Sequence, residues 1–237
     1  MNHIYQNKIL CVLQVRGGSK GVPKKNIREV NGKPLMTWTI ESAKKSGVFD
    51  SIWVSSDSDE ILEVGRKEDV NTMKRPDELS GDEVLSVDSL HWAVGEIEKL
   101  KGTTYDYVVE LPVVCPLRNE DHIREAVEKL ITTGADSVIS VVQMQDKHPV
   151  RMKRIIDGQI YDFCKEYPEG EASRRQDLEP CYLRNGAIYS MTRDCIVKKF
   201  SRHGDISRAY IMDENVSVNV DTMLDFKLAE VLLKENK

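Results

Sequence analysis

KILCVLQVRGGSKGVPKKNI, residues 8–27, sets an apolar run directly against a loop of glycines and cations. Lys8–Val15 reads as a strand of a parallel sheet covered on both faces, because its apolar residues run on with little alternation. The loop that follows holds Gly17, Gly18 and Gly21 among Arg16, Lys20, Lys24 and Lys25. Flexible linkers combine Gly with Ser but seldom carry this much charge. A solvated basic face has no need of the glycines. Glycine lets the backbone come close to a ligand and adopt positive φ, while the cations supply positive potential. The stretch therefore reads as a loop that wraps an anion, most simply a phosphate. The competing reading is a basic surface turn.

Outward from that loop, short β-rich runs alternate with longer helical patterns. Strands are expected at about 8–15, 51–55, 106–111 and 136–143, and helices at about 33–46, 58–67, 84–100 and 119–133. Pro34 suits a helix start, and Asp57 with Glu60 has capping-box spacing. This alternation predicts an α/β fold of three layers, a mostly parallel sheet with helices on both faces. In such a sheet ligands sit at the carboxyl ends of the strands, where RGGSKG falls. After about residue 144 the pattern loosens. RMKRIIDGQIYDF reads as a hairpin about Asp157-Gly158, followed by a polar irregular segment. GAIYSM and NVSVNV read as further strands, and TMLDFKLAEVLLKE as a closing helix. One domain over 1–237, with an inserted arm at about 145–182, fits better than two.

Bulk properties narrow the function classes. Of the 237 residues, 40% are hydrophobic and 31% charged, as expected of a globular enzyme. A net charge of -5 gives no reason to expect nucleic acid as a partner. No apolar run is long enough to span a bilayer, and MNHIYQNKIL lacks the apolar core of a signal peptide. The five cysteines form no CxxC pair, which argues against a disulfide framework or a zinc site. The expectation is a cytoplasmic protein. No pair of the five histidines has metal-ligand spacing, so each is read as structural.

The loop is neither a Walker A sequence nor a dinucleotide fingerprint, since its glycines miss both registers. RGGSKGVPKKNI closely resembles the nucleotide-binding signature of the acylneuraminate cytidylyltransferases, the CMP-sialic acid synthetases and their legionaminic and pseudaminic acid relatives. NGKPLMTWTIESAKKSGVFDSIWVSSDSDEI, RPDELSGD, CPLRNEDHIREAVE, DSVISV, RRQDLEPCYLRNGAIY and VNVDTMLDFKLAE resemble that family's successive blocks, in order. The resemblance implies a nucleotide-diphospho-sugar transferase-like fold with a dimerisation arm, and a homodimer with shared active sites. It implies a reaction of CTP with a nine-carbon α-keto sugar acid to give a CMP-sugar and pyrophosphate, with Mg²⁺. Positioning and charge neutralisation would carry such a phosphoryl transfer.

Residue by residue, the resemblance places Arg16, Gly17, Gly18, Ser19, Lys20 and Lys25 on the triphosphate and Asn26 near the ribose. Lys24 is left open between a phosphate contact and a solvated neighbour. Arg75, Ser86 and the carbonyls of Leu79 to Gly81 match the segment that reads the cytosine edge. Asp221 matches a Mg²⁺-binding carboxylate, with Asn219 standing where the family often has a second Asp. The alternative for Asp221 is a helix N-cap, with Thr222 as an equal candidate. Arg174, Arg175 and Gln176, followed by Asn185, match the patch that meets the sugar acid, part of it across the dimer. Asp57-Ser58-Asp59 has the form of an Asp-x-Asp metal motif, but its spacing also suits a helix cap, the reading favoured here. Catalysis would rest on Arg16, Lys25 and Asp221.

Two departures from the family pattern bear on the sugar. Gln14-Val15 stands where Pro-Ala usually precedes the Arg, and ELPVVCPLR where the pattern reads Leu-Gln-Pro-Thr-Ser-Pro-Leu-Arg. Pro112 thus occupies the place of a sugar-holding Gln, with Val113, Val114 and Cys115 beside it. Either Gln14 replaces the lost side chain, or the sugar differs from N-acetylneuraminate at a hydroxyl or N-acyl group. Beside the cytidylyltransferase reading stand a synthetase for the eight-carbon acid of lipopolysaccharide cores, a glycosyltransferase using Asp57 and Asp59, and a catalytically silent nucleotide binder.

Overall fold

The computed structural model describes residues 7–18, 21–144, 147–170 and 174–235, with only the backbone of Arg175. The expected strand is β1, Ile9–Gln14, and every side chain in Ile9–Leu13 is fully buried. Continuous burial has a simple cause. Ile9, Cys11 and Leu13 join one apolar cluster while Leu10 and Val12 join another, so the two sides of the strand face two cores. Truncating Leu10 to Ala should cost about 2–5 kcal/mol, the range for emptying a fully buried leucine site.

After two short strands, β2 Glu29–Val30 and β3 Lys33–Pro34, the chain alternates regularly. Helix α1 is Leu35–Ser46, strand β4 Ser51–Ser56, helix α2 Asp59–Lys67 and strand β5 Asn71–Lys74. Helix α3, Ser86–Lys101, leads to β6, Tyr107–Glu110, and α4, Glu120–Thr133, leads to β7, Ser137–Gln143. A hairpin of β8, Lys153–Ile156, and β9, Gln159–Asp162, precedes the long β10, Tyr182–Thr192. The chain closes with α5 Arg193–Val197, β11 Ser207–Met212 and α6 Met223–Glu235.

The main sheet has seven strands in the order β11-β7-β10-β6-β1-β4-β5. All neighbouring pairs are parallel except those of β10, which runs antiparallel to both β6 and β7. Helices α1, α2 and α4 pack in the core on one face; α3 and α5 pack in the core on the other. The three-layer α/β expectation therefore holds. The connections from β1 lead to β4 on one side and, later in the chain, to β6 on the other. The carboxyl end of β1 is thus a topological switch point, where ligands bind in open α/β sheets.

Two expectations about elements are corrected. NVSVNV is not a strand: the place beside β7 belongs to β11, and residues 214–221 form a 3-10 turn and a loop. That loop is tied down by Val220 N–H donating to Val114 O at 2.8 Å, so Val220 is buried, and Val216 and Val218 partly so, without a ladder. Strand β5 carries no clear alternation in NTMK, and the sequence reading passed over it.

The hairpin about Asp157-Gly158 is present, with both turn residues at positive φ, 50° and 79°. These angles match the two-residue turn that follows the natural twist of paired strands. The first residues of β10 continue the pairing with β7 beyond the core, and a register shift between Arg184 and Tyr189 marks where the strand leaves it. No helix among the described residues is long and apolar enough to cross a membrane.

Candidate functional site

A cleft of about 710 Å³ opens at the carboxyl ends of β1, β5 and β6. It gathers Arg16, Gly18, Lys25 and Asn26 from the glycine loop, Arg75 and Ser86 from the segment after β5, and Asn219 and Asp221 from the loop before α6. Segments far apart in sequence meet here because parallel strands deliver their following loops to one edge. Ser19 and Lys20 lie outside the described residues.

The glycines serve close approach and not left-handed backbone. Neither Gly17, Gly18 nor Gly21 has positive φ; in this loop that conformation falls on Lys24, at 52°. A Cβ on Gly21 would lie 2.4 Å from the Asp221 carbonyl, and one on Gly17 would lie 2.9 Å from Ser58 Cβ. Gly18 has open space where a side chain would be, so its backbone lies bare on the cleft wall. The glycine loop therefore rests on the Asp221 loop, and their packing fixes the cleft's width.

The cations divide. Lys24 Nζ bonds Glu60 at 2.8 Å and does not line the cleft. Lys25 Nζ bonds Asp221 Oδ1 at 2.8 Å and is largely covered. Arg16 bonds Asp82 at 2.6 Å, across from the glycine loop. The Asn26 amide donates to Arg16 O at 3.0 Å and so braces the loop from within the cleft. Arg75 is buried, its Nε donating to Ser80 Oγ at 3.1 Å. Burial lowers its pKa, a shift opposed by the carboxylate of Asp57.

Asp57 and Asp59 depart from both readings of SSDSDE. Asp57 Oδ1 accepts Gly17 N–H at 2.8 Å, and Asp59 pairs with Lys74 at 2.8 Å. The N-cap of α2 is Ser58, without a side-chain cap bond. Gly17 lies just past the strand and needs an acceptor, which Asp57 provides from the neighbouring strand end. The capping expectation fails, and the two carboxylates serve different partners instead of converging as an Asp-x-Asp metal pair would.

Asp221 is not a helix cap. Thr222 Oγ1 accepts Asp225 N–H at 3.2 Å and Asp225 Oδ2 accepts Thr222 N–H at 2.7 Å, a reciprocal cap that excludes Asp221's side chain. Asn219 Oδ1 is buried without a hydrogen-bond partner. An orphaned amide oxygen beside an exposed carboxylate suits Mg²⁺, which takes one or two protein oxygens and completes its shell with phosphate and water. Among the described residues no group of three His, Cys, Asp or Glu side chains could hold a metal alone.

The sugar patch does not form in this chain's own cleft. Arg174 and Gln176 are exposed on the arm, outside the cleft lining, and the Arg175 side chain is not described. Asn185 is buried with its amide consumed: Oδ1 accepts from Ser140 Oγ at 2.6 Å and Nδ2 donates to Ser217 Oγ at 2.9 Å. It is a strut holding β10, β7 and the Ser217 loop together. Gln14 does line the cleft, with Nε2 donating to Glu110 Oε1 at 2.9 Å and Ser86 O at 3.0 Å.

Sequence reasoning missed Glu110, Arg118, Tyr189 and Arg202. Arg118 is fully buried and donates to Pro112 O at 3.1 Å and Ala187 O at 2.7 Å, pinning the cleft floor. Burial pushes its pKa down to about 10. Glu110 gave one signal, a lone acid ending an apolar strand. Arg202 sits in a polar loop and gave none. Cys115 is buried, and burial pushes its thiol up to about 11, which keeps it protonated. Two of the histidines make local backbone contacts: His122 closes a capping box with Asn119, and His148 Nδ1 accepts Val150 N–H at 3.2 Å.

Comparison with known proteins decides what kind of cleft this is. A cytidylyltransferase family model matches residues 10–235. The chain belongs to the cytidylyltransferase family. It is 32% identical over 232 residues to the pseudaminic acid cytidylyltransferase of Campylobacter jejuni, covering 97% of each chain. It is 34% identical over 222 residues to the N-acylneuraminate cytidylyltransferase of Streptococcus agalactiae, covering 92% of this chain and 52% of that one. Among solved structures, CMP:2-keto-3-deoxy-manno-octonic acid synthetase complexed with CTP shares the fold at a TM-score of 0.73 and 14% identity, covering 97% and 100% of the two chains. This cytidylyltransferase therefore places its glycine loop, its Arg75 segment and its Asp221 loop around a single cleft.

Proposed function

We propose that this cytidylyltransferase couples CTP to a nine-carbon α-keto sugar acid, giving a CMP-sugar and pyrophosphate in the cytoplasm. The observation that carries the reading is the convergence of Arg16, Lys25 and the bare Gly18 backbone on one cleft with Asp221. Arg16 and Lys25 neutralise the triphosphate, whose departure as pyrophosphate leaves charge on the leaving oxygens. Asn26 keeps the glycine loop in register over the ribose. With Val84 N–H bonded to Gly81 O, the carbonyls of Leu79 and Ser80 are the loop's acceptors for the cytosine amine. The anomeric hydroxyl of the sugar attacks the α-phosphorus in line. Mg²⁺, held by Asp221 and Asn219 with phosphate oxygens, would neutralise charge at the transferring phosphoryl group.

The arm supports a homodimer. Ile155 and Ile160 face each other across the hairpin and stand 73% and 70% exposed, with Tyr161, Phe163 and Tyr167 exposed nearby. An isolated two-stranded hairpin is marginal in water, and a large exposed apolar patch marks an interface. A second copy covering it would bring Arg174, Arg175 and Gln176 towards the partner's cleft, where a guanidinium suits the sugar carboxylate. Both amide hydrogens of Gln14 already bond Glu110 and Ser86, while its Oε1 has no partner among the described residues, so Gln14 replaces the acceptor but not the donor of the glutamine lost at Pro112. The missing donor supports a sugar differing from N-acetylneuraminate at a hydroxyl or N-acyl group.

Pyrophosphate release with Mg²⁺, CTP or UTP, and a panel of eight- and nine-carbon sugar acids tests the reading. Release with CTP and a nine-carbon acid is expected. Equal turnover of UTP would remove the Leu79–Gly81 segment as the base reader. Release with the eight-carbon acid alone would move the chain to that substrate class, and CTP binding without release would support the silent reading.

A further inference from the structure

The cleft wall also carries a charged pair, Glu110 and Arg202, that none of the roles above uses. Glu110 closes β6 with only 4% of its surface exposed. Its Oε1 accepts from Gln14 Nε2 and its Oε2 from Arg202 NH1, each at 2.9 Å. Arg202 in turn lies over the Tyr189 ring, 4.5 Å from its centre. Glu110 and Tyr189 are direct cross-strand partners, so one face of the sheet aims both at Arg202.

A buried ion pair is poor evidence of stabilisation, because desolvating both charges offsets most of their attraction. Its placement on the cleft wall calls for another reason. Both oxygens of Glu110 are engaged, whereas among the described residues Arg202 commits only NH1 to a hydrogen bond. None of its nitrogens is buried without a partner, and it lines the cleft. The remaining N–H groups form a planar fork, fixed by Glu110 on one edge and by Tyr189 beneath. Because Glu110 already balances the charge, the fork brings donors without net charge. It suits a neutral oxygen better than a second carboxylate.

We infer that Arg202, held by Glu110 and Tyr189, determines sugar specificity by donating its free guanidinium N–H groups to a neutral acceptor oxygen on the sugar acid, the carbonyl of an acyl-amide substituent. The inference rests on the proposed reaction and adds to it a residue of this chain, near the lost polar groups at Pro112. Glu110 is a positioning residue in this arrangement, acting through Arg202.

Steady-state kinetics of Arg202→Gln and Arg202→Lys, with CTP and sugar acids differing only in their acyl-amide groups, tests it. For the N-acylated acid, KM should rise about ten- to a hundred-fold in both variants, since lysine keeps the charge and loses the fork. The KM for CTP should stay within about two-fold, and the acid lacking the amide should lose far less. Wild-type turnover in the same assay establishes the reaction, so a loss confined to the variants is read on Arg202. An equal penalty for every acid would instead put Arg202 on the shared carboxylate and overturn the inference. A parallel rise in the KM for CTP, rescue by lysine, or no change would also overturn it. Glu110→Gln should reproduce the KM split in weaker form, whereas a purely structural role would lower the melting temperature without splitting the two KM values.

Discussion

Lys25 and Asp221 are 196 positions apart and their side chains meet at 2.8 Å, with 12% of the lysine side chain and 67% of the aspartate side chain exposed. The pair joins the phosphate loop to the proposed metal loop, directly above the place where Gly21 packs on the Asp221 carbonyl. With the carboxylate two-thirds exposed the pair gains little from low dielectric, so the contact fits the resting state of the two proposed catalytic groups. In this reading the triphosphate and its metal separate them, each taking the partner of its own charge.

Lys25→Ala should therefore lower turnover with CTP about 10²- to 10³-fold while leaving the melting temperature within a few degrees. Activity within a few-fold of wild type would remove Lys25 from the site.

Asp221→Asn should abolish Mg²⁺-dependent turnover without destabilising the protein, because Thr222 and Asp225 cap α6 by themselves. Asn219→Asp should lower the Mg²⁺ concentration needed for half-maximal rate, since it adds charge where an orphaned amide oxygen now sits. Titrating Mg²⁺ against initial rate for both variants checks the assignment. An Asp221→Asn enzyme with full activity at ordinary Mg²⁺ would sink it.

Ile155→Asp combined with Ile160→Asp should convert a dimer to a monomer in sedimentation velocity, because it charges the exposed face of the hairpin. Turnover should fall with dissociation if Arg174, Arg175 and Gln176 act in the partner's cleft. An unchanged sedimentation coefficient would take the arm out of the interface.

Acid stability should depend on Asp136. Its carboxylate accepts from Lys199 Nζ at 2.8 Å, Ile206 N–H at 2.9 Å and Asp205 N–H at 2.7 Å, which hold its pKa down to about 2. A folded-state pKa below the unfolded value of roughly 3.9 means that this contribution is complete above pH ~4 and lost as pH falls towards 2. Asp136→Asn should therefore melt lower than wild type at pH 6, with the gap closing as the pH approaches 2. Melting curves across that range check the sign, and a gap that widens in acid would contradict it.

How much of this was legible in advance depended on whether the signal was local. KILCVLQV announced a doubly buried strand and RGGSKG a loop at its carboxyl end, because continuous apolar burial and glycine with charge are local properties of the chain. The alternation of strands and helices then determined a parallel sheet, and with it the edge on which the loops would gather. Tertiary contact decided the rest. NVSVNV has the composition of a strand, but β11 occupies the sheet position and leaves it a loop tied to Val114. Asp57 has the spacing of a cap, but its carboxylate accepts the Gly17 N–H instead. Asn185 carries the right side chain for a ligand, but three packed elements consume it. Arg202 gave no sign in sequence, because its proposed role comes from Glu110, 92 positions away, and Tyr189, which pair across β6 and β10 to meet it. Periodicity and charge are written along the sequence; which partner a polar group finds is settled only when the sheet order brings distant segments together.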